Sequence, residues 1–260
     1  MGKRRALRIC RSGLDALLAA TLAPRCAACG VALDRPLDGP VCTACWSAVR
    51  LCTPPFCRTC GDPLPSWRVI SVALERCPRC RRRPPLVQTA RTAGEYEGTL
   101  RGILHAFKYD GRRSLARRLG ALLRTAGGDL LREADCVVPV PLHAARRLHR
   151  GFNQAEALAR ELEAPVVHAL WRKRATPPQT GLDAAARRYN VRGAFVVSSL
   201  LSRRSRARWL AGRTVVLVDD VRTTGATLNA CAAVLLDAGA RDVRALTVAR
   251  AAPPRLVGSR

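Results

Sequence analysis

Aromatic residues make up only 4% of this chain of 260 residues, so a core has to be assembled from Ala, Leu and Val. Lysine is nearly absent: Lys3, Lys108 and Lys173 are the only three, and the rest of the 45 basic residues are arginine. Acids are few as well, 19 in all, which makes any place where two adjoin conspicuous. No apolar run reaches the ~18 residues that a membrane-spanning helix needs, which excludes membrane insertion of that kind. There is no H-E-x-x-H metal motif, and His105, His143, His149 and His168 enter no Ser-His-Asp arrangement. Chemistry that needs a dedicated histidine base or nucleophile is therefore disfavoured.

What is present in excess is positive charge, a formal +26, together with twelve cysteines. The 48% hydrophobic content excludes a disordered polyelectrolyte, and the length allows one large domain or two modest ones. Residues 1–88 hold 15 basic and 5 acidic residues, and residues 89–260 hold 30 and 14, so the charge is no mere tail. Such a field draws in polyanions. Arginine clusters stand at Arg81-Arg82-Arg83, Arg146-Arg147, and Arg203-Arg204 with Arg206 and Arg208. Single-strand platforms stack bases on aromatics, and here the aromatics are scattered. Any DNA binding is therefore expected to be led by the phosphate backbone, with little sequence choice. The competing explanation is a generally Arg-rich composition.

Eight cysteines fall in four C-x-x-C pairs: Cys26 and Cys29, Cys42 and Cys45, Cys57 and Cys60, Cys77 and Cys80. Two such pairs a dozen or more residues apart complete a tetrahedral four-thiolate site, which suits a structural zinc ion. Gly30 and Gly61 follow the first pair of each set, a recurrence that argues for two consecutive zinc ribbons rather than a cross-braced pair. Iron–sulfur ligation is the chemical rival, and a redox dithiol does not need four pairs. Cys10, Cys52, Cys136 and Cys231 lie outside the pattern, the last two in apolar runs where a buried small hydrophobe is expected. Unpaired thiols in such number fit a reducing cytoplasm. Residues 1–25 read as a basic amphipathic helix. The rival signal-peptide reading has Asp15 interrupting its apolar stretch.

Residues 26–80 carry no sustained apolar period and need metal staples to fold. Residues 81–88, RRRPPLVQ, read as a linker. The domains expected are 1–88, helix plus double ribbon, and 89–260, an α/β domain with a mainly parallel sheet flanked by helices. Helical spacing covers Leu115–Leu131, Asn153–Leu162 and Thr227–Ala238, the last closed by Gly239. Strands are expected at Cys136–Val140, Val166–Leu170, Val215–Val218 and Val243–Ala249.

The sharpest motif is VVLVDDVRTTGAT, from Val215 to Thr227. An apolar strand ends in Asp219 and Asp220, and the loop Thr223-Thr224-Gly225-Ala226-Thr227 opens a helix. Backbone N–H groups, the helix end and threonine hydroxyls make a cradle for one phosphate. It lacks the lysine of a Walker A loop and is no dinucleotide fingerprint. Two carboxylates beside a phosphate cradle suit ribose hydroxyls and a hydrated metal ion.

This segment resembles the phosphoribosyl pyrophosphate (PRPP) loop of type I phosphoribosyltransferases. FKYDGRR (107–113), VVPVPLHAARRLHRGFNQAEALA (137–159) and RATPPQTGLDAAARRYNVRGAF (174–195), with the double ribbon ahead of them, resemble the ComF family over about residues 24–251. One departure is Arg222, where an apolar residue is common. The resemblance implies a type I phosphoribosyltransferase fold, with Asp219 and Asp220 as the catalytic pair on the ribose. Thr223, Thr224, Gly225, Ala226 and Thr227 would hold the 5-phosphate. The loop after the first strand, with Arg146, Arg147 and Arg150, would take the pyrophosphate. Residues 174–193 match a covering loop in which Gln179, Arg187, Arg188 and Asn190 are the polar candidates. Lys108 and Tyr109 lie where family members recognise the acceptor. Mg2+ would accompany PRPP, and single-stranded DNA and the competence machinery become candidate partners in DNA uptake. Two readings stay open here. In one the protein is a transferase of the glycosyltransferase class. In the other it is a DNA-binding competence factor that uses PRPP only as a ligand.

Overall fold

The computed structural model describes residues 2–64, 75–174, 191 and 193–251, with the side chains of residues 2–10 left aside. The N-terminal third begins with α1 (Gly2–Leu22), a short 3-10 turn (Pro36–Asp38), α2 (Thr43–Ser47) and α3 (Pro78–Arg82). Then follow β1 (Thr89–Glu95), α4 (Gly98–Tyr109), α5 (Leu115–Arg132), β2 (Cys136–Pro139), α6 (Ala144–Arg150) and α7 (Gln154–Ala159). The chain closes with β3 (Leu170–Arg172), β4 (Phe195–Val197), α8 (Arg203–Trp209), β5 (Thr214–Arg222), α9 (Ala226–Asp237) and β6 (Asp242–Arg250).

Among the described residues the main sheet runs β1–β6–β5–β2, parallel throughout, and β3 and β4 form a separate antiparallel pair. The continuous apolar run of β5 has the expected cause. Val216 and Val218 face a layer that includes Leu104, Leu119, Leu123 and Leu158, while Val215 and Leu217 face Leu228, Cys231 and Leu235. Both faces of the strand are therefore covered, α5 and α7 on one side and α9 on the other. Cys136 and Cys231 are fully buried in this second layer, as small hydrophobes.

Several local expectations are corrected. β5 does not end at the two acids but pairs with β6 as far as Arg222 opposite Arg250, so Asp219 and Asp220 stand inside a hydrogen-bonded strand. The expected strand Val166–Leu170 is broken: Val166 makes a single parallel bridge to Val137, and Leu170 starts the antiparallel pair. The helix expected over Asn153–Leu162 is shorter, starting at Gln154 because the Asn153 side chain caps it by accepting from Ala155 N at 3.1 Å. The arginines expected in a loop after the first strand lie on α6, and that segment follows the second strand of the sheet.

Residues 81–88 do not behave as a free tether. The N–H groups of Leu86 and Val87 donate to Asn229 Oδ1 at 3.2 and 3.4 Å, and Gln88 N donates to Val243 O at 3.0 Å. The two parts are also joined along the sheet edge. Cys52 N donates to Ala93 O (2.9 Å), Glu95 N to Arg50 O (2.9 Å) and Ala90 N to Thr59 O (2.8 Å). Gly61 is fitted to this junction: its φ is +69°, and a Cβ there would stand 2.4 Å from Ala90 O.

Candidate functional site

The eight paired cysteines gather into two sets, Cys26, Cys29, Cys42 and Cys45, then Cys57, Cys60, Cys77 and Cys80, with all sulfurs of a set within 4.8 Å of one another. Ligation is thus consecutive, set by set. Zinc–sulfur bonds of about 2.3 Å in a tetrahedron put neighbouring sulfurs about 3.8 Å apart. Cys26–Cys45 and Cys29–Cys42 are separated by 3.8 Å, and Cys60–Cys77 by 3.7 Å. The donor sets fit two structural zinc ions. Backbone N–H groups support the sulfurs, with Cys42 N donating to Cys26 Sγ at 3.3 Å and Cys77 N to Cys57 Sγ at 3.2 Å. In each set one thiol is held low while burial, acting first, pushes Cys45 and Cys80 up. Cys57 is held down at about 4, chiefly by the hydrogen bond from Cys60. Burial opposes ionisation of Cys26, yet donors from Cys42, Ala28 and Cys29 outweigh it and bring the thiol to about 6.

The phosphate-type loop lies where the sheet predicts a ligand, beyond the C-terminal end of β5. Gly225 caps α9 with φ +79°, and Thr224 Oγ1 accepts from Ala226 N at 3.3 Å. The first turn of this twelve-residue helix carries no acid, so its positive end is not cancelled.

Asp220 is not solvated. Its Oδ1 lies 3.0 Å from Lys108 Nζ, delivered by the last turn of α4, and each side chain is only 12% exposed. Burial, the largest influence on Lys108, opposes its charge, and Asp220 overcomes this and raises the ammonium above its ordinary range. Asp219 is pushed up to about 7, first by burial and then by the Asp220 carboxylate, despite the Asp220 N–H on its Oδ1 at 2.9 Å.

On α6 and beside it a cationic rim forms. Arg150 donates to Tyr109 OH at 3.1 Å and to Gln154 Oε1 at 3.2 Å, and lies over the Tyr109 ring at 5.0 Å. Arg146 is held below the usual guanidinium range, by burial first and then by the charge of Arg150. Arg147 is exposed on the same helix. Arg187 and Arg188, with Gln179 and Asn190, lie outside the described residues.

Sequence reasoning missed Arg172 on β3. It is 6% exposed, over the Phe195 ring at 5.3 Å, and its charge acts on both Arg146 and Asp219. Burial, and then Arg146, hold it low. The available signal was a base in a short strand, hidden in a stretch rich in arginine. Arg222, the departure noted in the loop motif, is 4% exposed and forms an ion pair with Asp62 of the second ribbon.

A phosphoribosyl transferase domain matches residues 148–257, and a double zinc ribbon domain matches residues 17–81. The DNA utilization protein YhgH of Escherichia coli strain K12 is 32% identical over 224 residues, covering 81% of this chain and 90% of its own. The chain belongs to the ComF family. Competence protein F of Haemophilus influenzae is 30% identical over 237 residues (87% of this chain, 97% of its own), and competence protein ComFC of Bacillus subtilis is 27% identical over 218 residues (82% and 85%). This ComF-family chain therefore joins a type I phosphoribosyltransferase domain to two cysteine ribbons. Among the described residues no helix is long and apolar enough to cross a membrane.

Proposed function

We propose that this ComF-family protein binds PRPP with Mg2+ at the end of β5 and transfers its phosphoribosyl group in the service of DNA utilisation in a reducing cytoplasm. The observation that carries the reading is the meeting of three chemistries at one sheet end. These are the phosphate cradle Thr223–Thr227, the carboxylate pair Asp219–Asp220, and a rim of arginines from α6 and β3. The relatives' names supply the DNA context. Residues 1–88 serve as the zinc-bearing part and residues 89–260 as the transferase part.

In this reading Thr223, Thr224, Gly225, Ala226 and Thr227 hold the 5-phosphate. Asp219 and Asp220 accept hydrogen bonds from the ribose hydroxyls, and Lys108 yields its place on Asp220 or shifts with it. Arg146 and Arg150, with Arg172, neutralise the pyrophosphate. Arg147, Arg187 and Arg188 remain candidates for the same anion. The C1–oxygen bond to pyrophosphate breaks, a bond from C1 to the acceptor forms, and the acceptor's proton leaves to solvent. Mg2+ supplies charge neutralisation for the departing pyrophosphate. The protein contributes positioning and anion stabilisation, with no nucleophile of its own.

The test is PRPP consumption with Mg2+ across a panel of nucleobases, with and without single-stranded DNA. Turnover with one base supports the enzyme. A second reading, a DNA-binding competence factor that holds PRPP without turnover, is favoured by the excess charge and by α8, whose exposed Arg203, Arg204, Arg206 and Arg208 meet no acid in that helix. PRPP binding without consumption in any combination would decide for it.

A further inference from the structure

We propose that Asp62, in the second ribbon, is a positioning residue for the phosphate loop, and that the second cysteine centre governs the loop through one row of alternating charges. The consequence for PRPP rests on the function proposed above; the hold on the loop does not.

Asp62 stands two residues beyond Cys60, on a hairpin closed by the Phe56–Pro63 bridge and by Cys57 N donating to Asp62 O at 2.7 Å. Its backbone therefore belongs to the cysteine knuckle, while its carboxylate faces outward to three guanidinium groups. Arg79 Nη2, from α3 between ligands Cys77 and Cys80, reaches Oδ2 at 3.1 Å. Arg222 is paired to Oδ1, and Arg250 Nη1 lies 3.6 Å from the same oxygen. Arg222 immediately precedes Thr223. The row thus runs from the ligand-bearing segment Cys77–Cys80 through Arg79, Asp62 and Arg222 to the cradle.

A second observation makes this pair decisive for the loop. Thr224 and Gly225 line a pocket of about 130 Å³ whose other walls include Cys60, Arg79 and Pro85. The loop is therefore not braced by close packing on that side. Only Thr223, Thr224 and Gly225 separate Arg222 from α9, so the place of Arg222 sets where they start. Without its partner, Arg222 is a buried unpaired charge that has to move toward water, taking the loop with it.

The experiment uses the full zinc-loaded chain. Amide hydrogen exchange over residues 221–228, without ligand, reads the hold on the loop, and calorimetry reads PRPP affinity. Asp62→Asn is expected to keep two zinc ions per chain, to speed loop exchange by about tenfold and to weaken PRPP by a similar factor. Arg222→Met, away from the cysteines, should do the same, and it carries the test if Asp62→Asn loses metal. The double variant should be no worse than either single one, and Asp62→Glu should recover part of the loss. Unchanged loop exchange in Arg222→Met, or losses that add in the double variant, overturns the proposal. Loop exchange that depends on Asp62 in a protein that binds no PRPP upholds the positioning role and sinks the PRPP reading alone.

Discussion

The two ribbons share a cysteine pattern but are fastened to the molecule by different physics. In the first, Cys26, Leu33, Val41 and Cys45 belong to the same apolar cluster as Leu100, Leu104 and Phe107, and Ala28 packs 3.5 Å from where a Cβ of Gly102 would be. In the second, Cys57, Cys60 and Cys80 form a small cluster of their own with Leu64 and Cys77. Its attachments are polar: the Asp62 ion pairs and the backbone bond from Ala90 N to Thr59 O. A repeated metal motif thus says nothing about how each copy is docked. An apolar weld is permanent, whereas a charged one responds to its surroundings.

Metal removal should break the symmetry most visibly. Cys45→Ser takes a ligand out of the shared core and is expected to lower the melting temperature of the whole chain by 10 °C or more, on the order of several kcal/mol for a lost structural metal and its packing. Cys80→Ser should free one zinc ion yet leave a cooperative transition for residues 89–251. Calorimetry with zinc analysis checks both, and equal losses would end the distinction. Phe107→Ala, on the apolar weld, should cost about 3–5 kcal/mol in denaturant unfolding and loosen the first ribbon with the core.

A smaller effect belongs to Asp219. Its folded pKa of about 7 lies above the unfolded value, so the fold favours the protonated acid. Stability from this group is full below the unfolded pKa near 4 and declines as pH rises toward 7. Asp219→Asn should therefore raise the melting temperature at pH 8, by about 5 °C, and change it little at pH 4. It should abolish PRPP-induced stabilisation at both. The smallest effect on the fold is expected from reversing Arg81, Arg82 and Arg83 to Glu. Anisotropy titrations with single-stranded DNA should show weaker binding for every sequence and a flatter salt slope, each lost contact removing about 0.7 from the log–log slope. A fall in PRPP affinity in that variant would tie the junction to the loop by a second route.

Local patterns made part of this legible. The apolar run before Asp219, the Thr-Gly loop and the C-x-x-C spacings are short-range features, and each stands where it was expected. β1 has no large apolar residue to announce it: its buried positions are Ala90, Thr92, Ala93 and Gly94, and Thr92 shares a buried hydrogen bond of 2.8 Å with Thr247. α4, in contrast, carries Leu100, Ile103, Leu104 and Phe107 at helical spacing, a local signal of the ordinary kind. The pairs Lys108–Asp220 and Asp62–Arg222 leave no periodic trace at all. The second joins residues 160 positions apart, and only the fold brings such charges together.

The contacts of β1 with residues 50–52 and Thr59 have a further consequence. A parallel sheet has two outer strands, and a bare one offers its row of amides and carbonyls to any passing chain. Here β1 is covered by backbone from the ribbons, and Pro165, Val166 and Val167 lie along β2 through bonds of 2.8 Å from Val137 N and 2.9 Å from Val167 N. The ribbon segment is thus a cap against self-association. Cutting the chain at residue 89 removes that cap as well as the metal centres. The isolated transferase half is then expected to aggregate by strand addition, whatever its intrinsic stability.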